Sequence, residues 1–304
     1  MDFSVIIATY NATKKQLKMT IDSVLNQKDI EYEIIVCDDA SADNHFEWIK
    51  EYLDGAAFSE YTLLGGDKNI GTVRNMLRGI RLAKGEYSKL IGAGDMLYKD
   101  TTLHDIKQFM EAENTSCCFG LMQGFQIKDG ERIKVTHTSP RVISVYRNKE
   151  RKKIVRNILV SEDWVSGAGI FAKTFYYLKY ISMLEDKVIY CEDWATALAL
   201  VDDVYLKLYD DYAIWYEVGE GVSTTPSPSW RKKLLHDNEE FWKIFEKYAA
   251  ESNNNSFARE NKLRRRKKKA DRLGGKYFGT LLKAISNPGL LAFEFKARCQ
   301  EKKR

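Results

Sequence analysis

Proline is rare in this sequence, and long hydrophobic runs are missing from it. Only 4 of its 304 residues are proline and 19 are glycine, which excludes collagen-like and low-complexity chains. Without a run of about 18 apolar residues, we expect no membrane-spanning helix. The start, Met1-Asp2-Phe3, has no basic segment before an apolar stretch, so we also expect no signal peptide. With 44% hydrophobic residues, the composition predicts a globular protein.

The cysteines show none of the spacings that mark a metal site or a disulfide framework. The five cysteines are scattered, without a C-x-x-C pair or a Cys/His ligand pattern: Cys37, Cys117, Cys118, Cys191 and Cys299. An odd and dispersed set disfavours both disulfide bridges and structural zinc. A reducing compartment fits this set best, so we expect a cytoplasmic protein.

Positive charge is concentrated near the C-terminus. Residues 259–304 hold 16 Lys and Arg against 4 Asp and Glu, a local charge of +12, whereas the whole chain carries +5. The other residues together therefore carry −7. This asymmetry predicts a folded catalytic or binding body with an electrostatic attachment segment at its C-terminus.

The basic segment continues into an amphipathic pattern. Residues 264–269 are six consecutive cations, and Leu273, Tyr277, Leu281 and Ile285 follow at every fourth position. A helix packed on the body or on another copy, a nucleic-acid arm and an interfacial membrane anchor all fit this pattern. We favour an anionic membrane surface, because each cation contributes about 1 kcal/mol there and nucleic acid does not require the apolar stripe. We expect no nucleic-acid partner, and a peripheral location on the inner face of the cell membrane.

The first hundred residues alternate short β-branched runs with longer amphipathic stretches, which is typical of a doubly wound, mostly parallel α/β sheet. We predict strands at 4–9, 33–37, 61–64 and 87–91, and helices at 16–26, 44–53, 72–84 and 101–113. Ligands of such sheets bind outside the carboxyl ends of the strands. The polar residues that follow each strand are therefore the candidate site.

The pattern becomes mixed after this half. Asp129-Gly130 predicts a type I′ hairpin between residues 126–128 and 132–135. Further elements are predicted as strands at 166–172 and 204–215, a helix from about Glu192, a helix at 230–250 and a linker at 251–256. We divide the chain into a domain 1–225, with a nucleotide-binding half 1–98 and an acceptor half 99–225, a helix and linker 226–255, and a basic tail 256–304.

Acidic and basic residues follow the predicted strands. Asp38 and Asp39 end the second strand, where a carboxylate either caps a helix or accepts hydrogen bonds from a nucleotide base or ribose. Arg74 and Asn75 lie in the first turns of the third helix. Arg74 could neutralise a diphosphate or bind a pyrimidine carbonyl near the helix N-terminus, or it could be an ordinary surface residue.

Two further clusters carry possible chemistry. The fourth strand ends in Gly92-Ala93-Gly94-Asp95, where small residues permit close approach of a ligand and one carboxylate could hold a divalent cation with diphosphate oxygens. A turn with a capping Asp has the same pattern. Glu192-Asp193-Trp194 begins a helix and either complements its dipole or places a general base beside an aromatic on which a sugar could stack.

Taken in order, these motifs resemble the inverting family-2 glycosyltransferases, which have the GT-A fold, over roughly residues 2–225. The resemblance rests on SVIIATYN at 4–11, EIIVCDDAS at 33–41, NIGTVRN at 69–75, AKGEY at 83–87, GAGD at 92–95, SGAGIFAK at 166–173 and CEDW at 191–194. Any one motif could match by chance, whereas the ordered set is specific.

The resemblance implies transfer of a sugar, with inversion, from a nucleoside diphosphate to an acceptor hydroxyl. A UDP-sugar is the favoured donor, and a growing, lipid-linked oligosaccharide of a surface or capsular polysaccharide is the favoured acceptor. By matching motifs, Asp193 is the expected catalytic base, Asp95 the expected ligand of Mn²⁺ or Mg²⁺, and Glu192 and Trp194 border the acceptor sugar. The remaining residues expected at the nucleotide are Thr9, Tyr10, Asp38, Asp39, Arg74 and Gly94.

Two motifs depart from the family pattern. Gly92-Ala93-Gly94-Asp95 replaces the usual D-x-D cluster, so we expect weaker cation binding. The glycine-rich loop at 216–223 has Glu217 and Glu220 where relatives often carry His or Arg, so diphosphate contacts there would fall to Ser223, Thr224 or residues 231–232. We expect this loop to act as a lid.

Two alternatives to this enzyme remain at the level of sequence. One is a nucleotidyltransferase, although residues 10–15, YNATKK, lack a glycine-rich triphosphate loop after the first strand. The other is a nucleotide-binding scaffold with a degenerate site, which the thinned carboxylate cluster favours and the retained Asp193 disfavours.

Overall fold

A computed structural model describes residues 1–219, 228–252, 254 and 257–272, and the single positions 281, 285, 288, 289, 292 and 295. Its strands are β1 Phe3–Thr9, β2 Tyr32–Asp38, β3 Tyr61–Leu64, β4 Tyr87–Gly92, β5 Met96–Leu97, β6 Cys117–Lys128, β7 Glu131–Val135, β8 Ile170–Lys173 and β9 Lys207–Glu217. Its helices are α1 Lys14–Leu25, α2 Phe46–Gly55, α3 Thr72–Ile80, α4 Thr102–Ala112, α5 Ser144–Arg147, α6 Arg151–Ser161, α7 Thr174–Ser182, α8 Ala195–Val201, α9 Pro228–Glu251 and α10 Ala258–Arg272. Gly167–Gly169 and Glu192–Trp194 form 3₁₀ turns.

All of these strands belong to one sheet, in the order β3, β2, β1, β4, β8, β6, β9, β5, with β7 paired to β6. Strands β1 to β4 are parallel to one another. Strand β8 then runs antiparallel to both β4 and β6. The predicted combination of a parallel nucleotide-binding half with a mixed half is therefore confirmed.

Helices cover both faces of the sheet, as a doubly wound fold requires. One apolar cluster joins the sheet to α1, α2 and α4, and the other joins it to α3 and α6 through α9. Helix α9 contributes Phe241, Trp242 and Phe245 to the second cluster, each at most 3% exposed. No helix in the described part of the chain is long and apolar enough to span a membrane.

Local sequence signals explain several element boundaries. Helix α1 begins with a capping box, in which Thr13 and Gln16 exchange side-chain and backbone hydrogen bonds. The turn between β6 and β7 has positive φ at both Asp129 (51°) and Gly130 (83°), as a type I′ hairpin requires. The strand predicted at 166–172 is shorter in the structure. Residues 167–169 form a 3₁₀ turn, and the strand begins only at Ile170.

Candidate active site

The carboxyl ends of β1 and β2 lie side by side and carry the first candidate residues. Thr9 and Asp38 are partners in the parallel register, and both are buried. The Asp38 carboxylate accepts hydrogen bonds from the backbone amide of Ser41, at 2.9 Å, and from its hydroxyl. Tyr10 is 54% exposed, so its ring is accessible to a ligand at this edge of the sheet.

Asp39 anchors the loop that leads into α3. Its two carboxylate oxygens accept hydrogen bonds from the amides of Ile70, at 2.7 Å, and Gly71, at 2.9 Å. The side chain is only 4% exposed. Any contact of Asp39 with a base or ribose must therefore share a carboxylate that already holds the neighbouring loop in place.

The two arginines on α3 point in different directions. Arg74 donates through Nε to the Glu185 carbonyl at 2.9 Å, and its guanidinium lies 3.5 Å from the Asp186 carboxylate. Arg78, which the sequence analysis did not single out, donates to the carbonyls of Asp38 and Gly65. The structure therefore places Arg78, rather than Arg74, against the carboxyl end of β2.

Asp95 lies beside Glu217 at the end of β4. The Asp95 carboxylate accepts a hydrogen bond from the Glu217 amide at 2.9 Å, and burial raises the pKa of Asp95 to about 7. Gly94 has a φ of 106°, and a Cβ at this position would clash with the Glu217 carboxylate. The missing side chain at Gly94 thus leaves the space that the Glu217 carboxylate occupies.

Lys89 is a fully buried amine between the donor and acceptor sides of the site. Its Nζ donates to the carbonyls of Ala168 and Ile170 and lies 4.4 Å from the centre of the Phe171 ring. Burial lowers the pKa of Lys89 to about 7, while the charges of Asp95 and Glu192 oppose this shift. Lys89 therefore lies close enough to act electrostatically on carboxylates of both sides.

The expected base, Asp193, is part of the 3₁₀ turn Glu192–Trp194 and is half-buried. Burial raises the pKa of Asp193, and a hydrogen bond from the Gly167 amide partly offsets that rise. Burial and the adjacent Asp193 also raise the pKa of Glu192. A carboxylate with a raised pKa is suited to accept a proton near neutral pH.

The turn at Gly167–Gly169 packs directly on these carboxylates. A Cβ at Gly167 would come within 2.6 Å of Glu192 Oε1 and 3.4 Å of the Asp193 Cβ. Lys89 also holds this turn, by donating a hydrogen bond to the Ala168 carbonyl. Lys89, the turn and Asp193 therefore form one connected unit.

Trp194 requires a correction to the expected stacking role. Its side chain is buried, stacks on Trp164 with ring centres 5.5 Å apart, and contacts Phe241 of α9 edge to face at 5.6 Å. The indole is thus packed between protein rings instead of being open to a sugar. A tryptophan directly after an acidic pair looks the same in sequence whether it faces a cleft or the core.

Sequence signals exist for two of the residues that the sequence analysis missed. Lys89 interrupts the otherwise apolar run of β4, and a charged residue inside a buried strand is unusual. Asp237 shares the buried face of α9 with Phe241 and Phe245, four and eight residues further on. Part of the expected lid, residues 220–227 with Glu220, Ser223 and Thr224, lies outside the described residues.

A divalent cation is compatible with the site only if the donor supplies most of its ligands. Among the described residues, no group of three or more His, Cys, Asp or Glu side chains could hold a metal ion. Asp95 and Glu217 are nevertheless neighbours across Gly94. Mg²⁺-type cations are commonly bound by one or two carboxylates together with substrate phosphates, so these two residues fit such a site.

Known proteins share both this sequence pattern and this fold. Residues 4–175 match the family model of Glycosyl transferase family 2. The glycosyltransferase MG060 homolog of Mycoplasma pneumoniae is 33% identical over 202 residues, 66% of this chain and 63% of that protein. TarP of Staphylococcus aureus, a poly(ribitol-phosphate) beta-N-acetylglucosaminyltransferase, is 34% identical over 121 residues, 38% of this chain and 35% of TarP. The chain thus spans less than two thirds of either relative.

A solved structure supports the GT-A fold. The crystal structure of S. aureus TarS 1-349 in complex with UDP matches with a TM-score of 0.57 and 19% identity. The match covers 86% of this chain and 68% of that chain. The likeness extends over both halves of the sheet and establishes the architecture.

Proposed function

Because this chain belongs to glycosyl transferase family 2, we propose that it is a glycosyltransferase that uses a nucleotide sugar and that its donor is a UDP-sugar. The proposed acceptor is a hydroxyl of a growing, lipid-linked oligosaccharide of a surface or capsular polysaccharide. The UDP-bound structural neighbour TarS and the relative TarP, a transferase of N-acetylglucosamine, support the donor class.

The observation that carries the proposal is the placement of Asp193. Its carboxylate is half-buried, has a raised pKa and receives a hydrogen bond from Gly167. In a single displacement, Asp193 accepts the proton of the acceptor hydroxyl as that oxygen attacks the anomeric carbon. The nucleoside diphosphate leaves from the opposite face, so the configuration inverts.

On the donor side, the chain supplies an edge for the nucleotide and a partial site for a cation. Tyr10 and the loop held by Asp39 border the nucleotide, and Arg78 adds positive charge at the end of β2. Asp95 and Glu217 would hold Mn²⁺ or Mg²⁺, which supplies charge neutralisation to the departing diphosphate when bound.

The donor part of the proposal is tested by calorimetric titration with UDP, dTDP and GDP, with and without Mn²⁺. We expect selective UDP binding that Mn²⁺ strengthens in the parent and fails to strengthen in Asp95→Asn. Asp163→Asn is the matched control, since Asp163 is a buried carboxylate that holds Arg141 and Val142 outside the nucleotide edge. Equal binding of all three nucleotides, or none, would contradict the proposed donor.

A peripheral membrane location is also part of the proposal. Arg264 of helix α10 is buried and lies over Trp242, with its guanidinium carbon 4.1 Å from the ring centre. Phe257, directly before the helix, is buried as well. The opposite side of α10 exposes five cationic side chains: Arg259, Lys262, Arg265, Arg266 and Lys269. A cationic face on a packed helix suits contact with an anionic leaflet, where a lipid-linked acceptor resides.

A further inference from the structure

One buried carboxylate outside the family-matched residues holds the segment that leads into Asp193. Asp237 of α9 is 0% exposed. Its carboxylate accepts hydrogen bonds from the amides of Ile189, at 3.0 Å, and Tyr190, at 2.7 Å. Two consecutive backbone amides, at residues 189 and 190 just before Glu192, are therefore fixed by a single side chain.

The same segment touches the loop that borders the nucleotide. The Ile189 carbonyl accepts a hydrogen bond from the Val73 amide at 3.0 Å, and the Ile189 side chain fills the space above Gly71. Gly71 is the residue whose amide Asp39 binds. Ile189 is thus held between the donor loop on one side and α9 on the other.

Helix α9 also fixes the residue that follows Asp193. Phe241, one helical turn after Asp237, packs on the Trp194 ring. The backbone on both sides of Asp193 therefore depends on α9, by hydrogen bonds before it and by aromatic packing after it. Residues of α9 lie beyond the family-matched range 4–175.

We infer that Asp237 is a positioning residue for the transfer reaction, which orients the Asp193 carboxylate by holding the backbone amides of Ile189 and Tyr190. This inference rests on the proposed role of Asp193 as the base. A small displacement of a reacting group lowers the rate strongly, by about 100-fold for 1 Å. An anchor of two consecutive backbone amides, three and four residues before the base, is placed to prevent such a displacement.

Asp237→Asn in the full chain tests this inference. Asparagine has the same shape, but it keeps one acceptor oxygen and turns an NH₂ group towards an amide that also donates. We expect kcat to fall about 10- to 100-fold, while the dissociation constant for UDP changes by less than about threefold. If Asp237→Asn does not fold, Asp237→Ser, which also keeps a single acceptor oxygen, is measured in its place with the same expectation.

Glu33→Gln is the matched control. Glu33 is a carboxylate with 2% exposure at the amino end of β2, and it accepts hydrogen bonds from the Lys84 amide at 2.6 Å and the Ser4 hydroxyl at 2.7 Å. Its substitution imposes the same kind of buried defect far along the strand from the site. We expect Glu33→Gln to lower the melting temperature and to leave kcat at its parental value.

A double-mutant cycle with Asp193→Asn separates positioning from a general loss of stability. If Asp237 acts through Asp193, Asp237→Asn lowers the residual turnover of Asp193→Asn by less than about twofold. Parental kcat in Asp237→Asn, or an equal loss in both backgrounds, would overturn the inference while leaving the proposed function intact. Parental turnover in Asp193→Asn itself would overturn the proposed base, and the positioning role with it.

Discussion

At the scale of single residues, Lys89 is the feature that distinguishes this site most clearly. Its amino group is buried against two carbonyls and an aromatic ring. Among the described contacts, it makes no direct ion pair. Burying a charge costs free energy unless the charge is paired and hydrogen-bonded. The position of Lys89 near Asp95 and Glu192 gives it an electrostatic role in the site.

Substituting Lys89→Met tests this electrostatic role. Methionine fills similar volume without charge, so the melting temperature should be unchanged or raised. Turnover should fall at least about 10-fold, because the carboxylates lose a nearby cation and the turn at 167–169 loses its anchor. Thermal unfolding and steady-state kinetics on the same preparation check both parts. A lower melting temperature with parental turnover would show that Lys89 serves only stability.

At the scale of elements, the sequence predicts the parallel half well and the mixed half less well. Strands β1 to β4 are short β-branched runs that are buried in the sheet, so their own sequence is enough to predict them. Their predicted bounds agree with the structure within one residue. Helices α5, α6 and α7 were not predicted. The turn at 167–169 was predicted as a strand. Its shape depends on the hydrogen bond from Lys89 to the Ala168 carbonyl, and local sequence does not show this contact because the two residues are 79 positions apart.

The same limit applies to the candidate site. The order of the motifs predicts Asp193 and Asp95 at the carboxyl edge of the sheet, where the fold directs ligands. The partners of these residues, such as Glu217 beside Asp95, come from distant elements that local patterns do not connect. The burial of Trp194 follows from α9, whose docking position is a property of the whole core.

Gly167→Ala tests whether the 3₁₀ turn must lie directly on the carboxylates of Glu192 and Asp193. The added Cβ would come within 2.6 Å of Glu192 Oε1, so the turn and the carboxylates must move apart. We expect about a 10-fold loss of kcat with unchanged UDP affinity. Gly55→Ala is the control, because a Cβ at Gly55, the last residue of α2, meets nothing within 4 Å. Equal kcat in the two variants would contradict the proposed contact.

At the scale of the whole molecule, the two C-terminal helices have different relations to the body. Helix α9 belongs to the core around the site, through Asp237 and Phe241. Helix α10 packs on α6 and α9 with one face, through Arg264, and presents cations on the other. The residue proposed to position the base and the cations proposed to bind a membrane thus lie on adjacent helices.

Vesicle sedimentation tests the cationic face of α10. We expect binding to vesicles with anionic phosphatidylglycerol, weakening with salt, and no binding to neutral phosphatidylcholine. Replacing Lys262, Arg266 and Lys269 by Gln removes three exposed charges, and at about 1 kcal/mol each this weakens binding about 100-fold. Lys14 and Lys15, exposed at the start of α1, provide the matched control. Equal binding of both sets of variants would contradict the assignment of this face.

The most direct test of the account is the turnover of the parent and Asp193→Asn across the range of about pH 5 to 8. A base must be ionised, and burial raises the pKa of Asp193, so the acid limb of the profile moves towards neutral pH. We predict that parental kcat rises with pH through this limb, and that Asp193→Asn binds UDP normally but loses about 1,000-fold in kcat and the acid limb with it. Near-parental turnover in Asp193→Asn, with the same pH profile, would contradict the central claim.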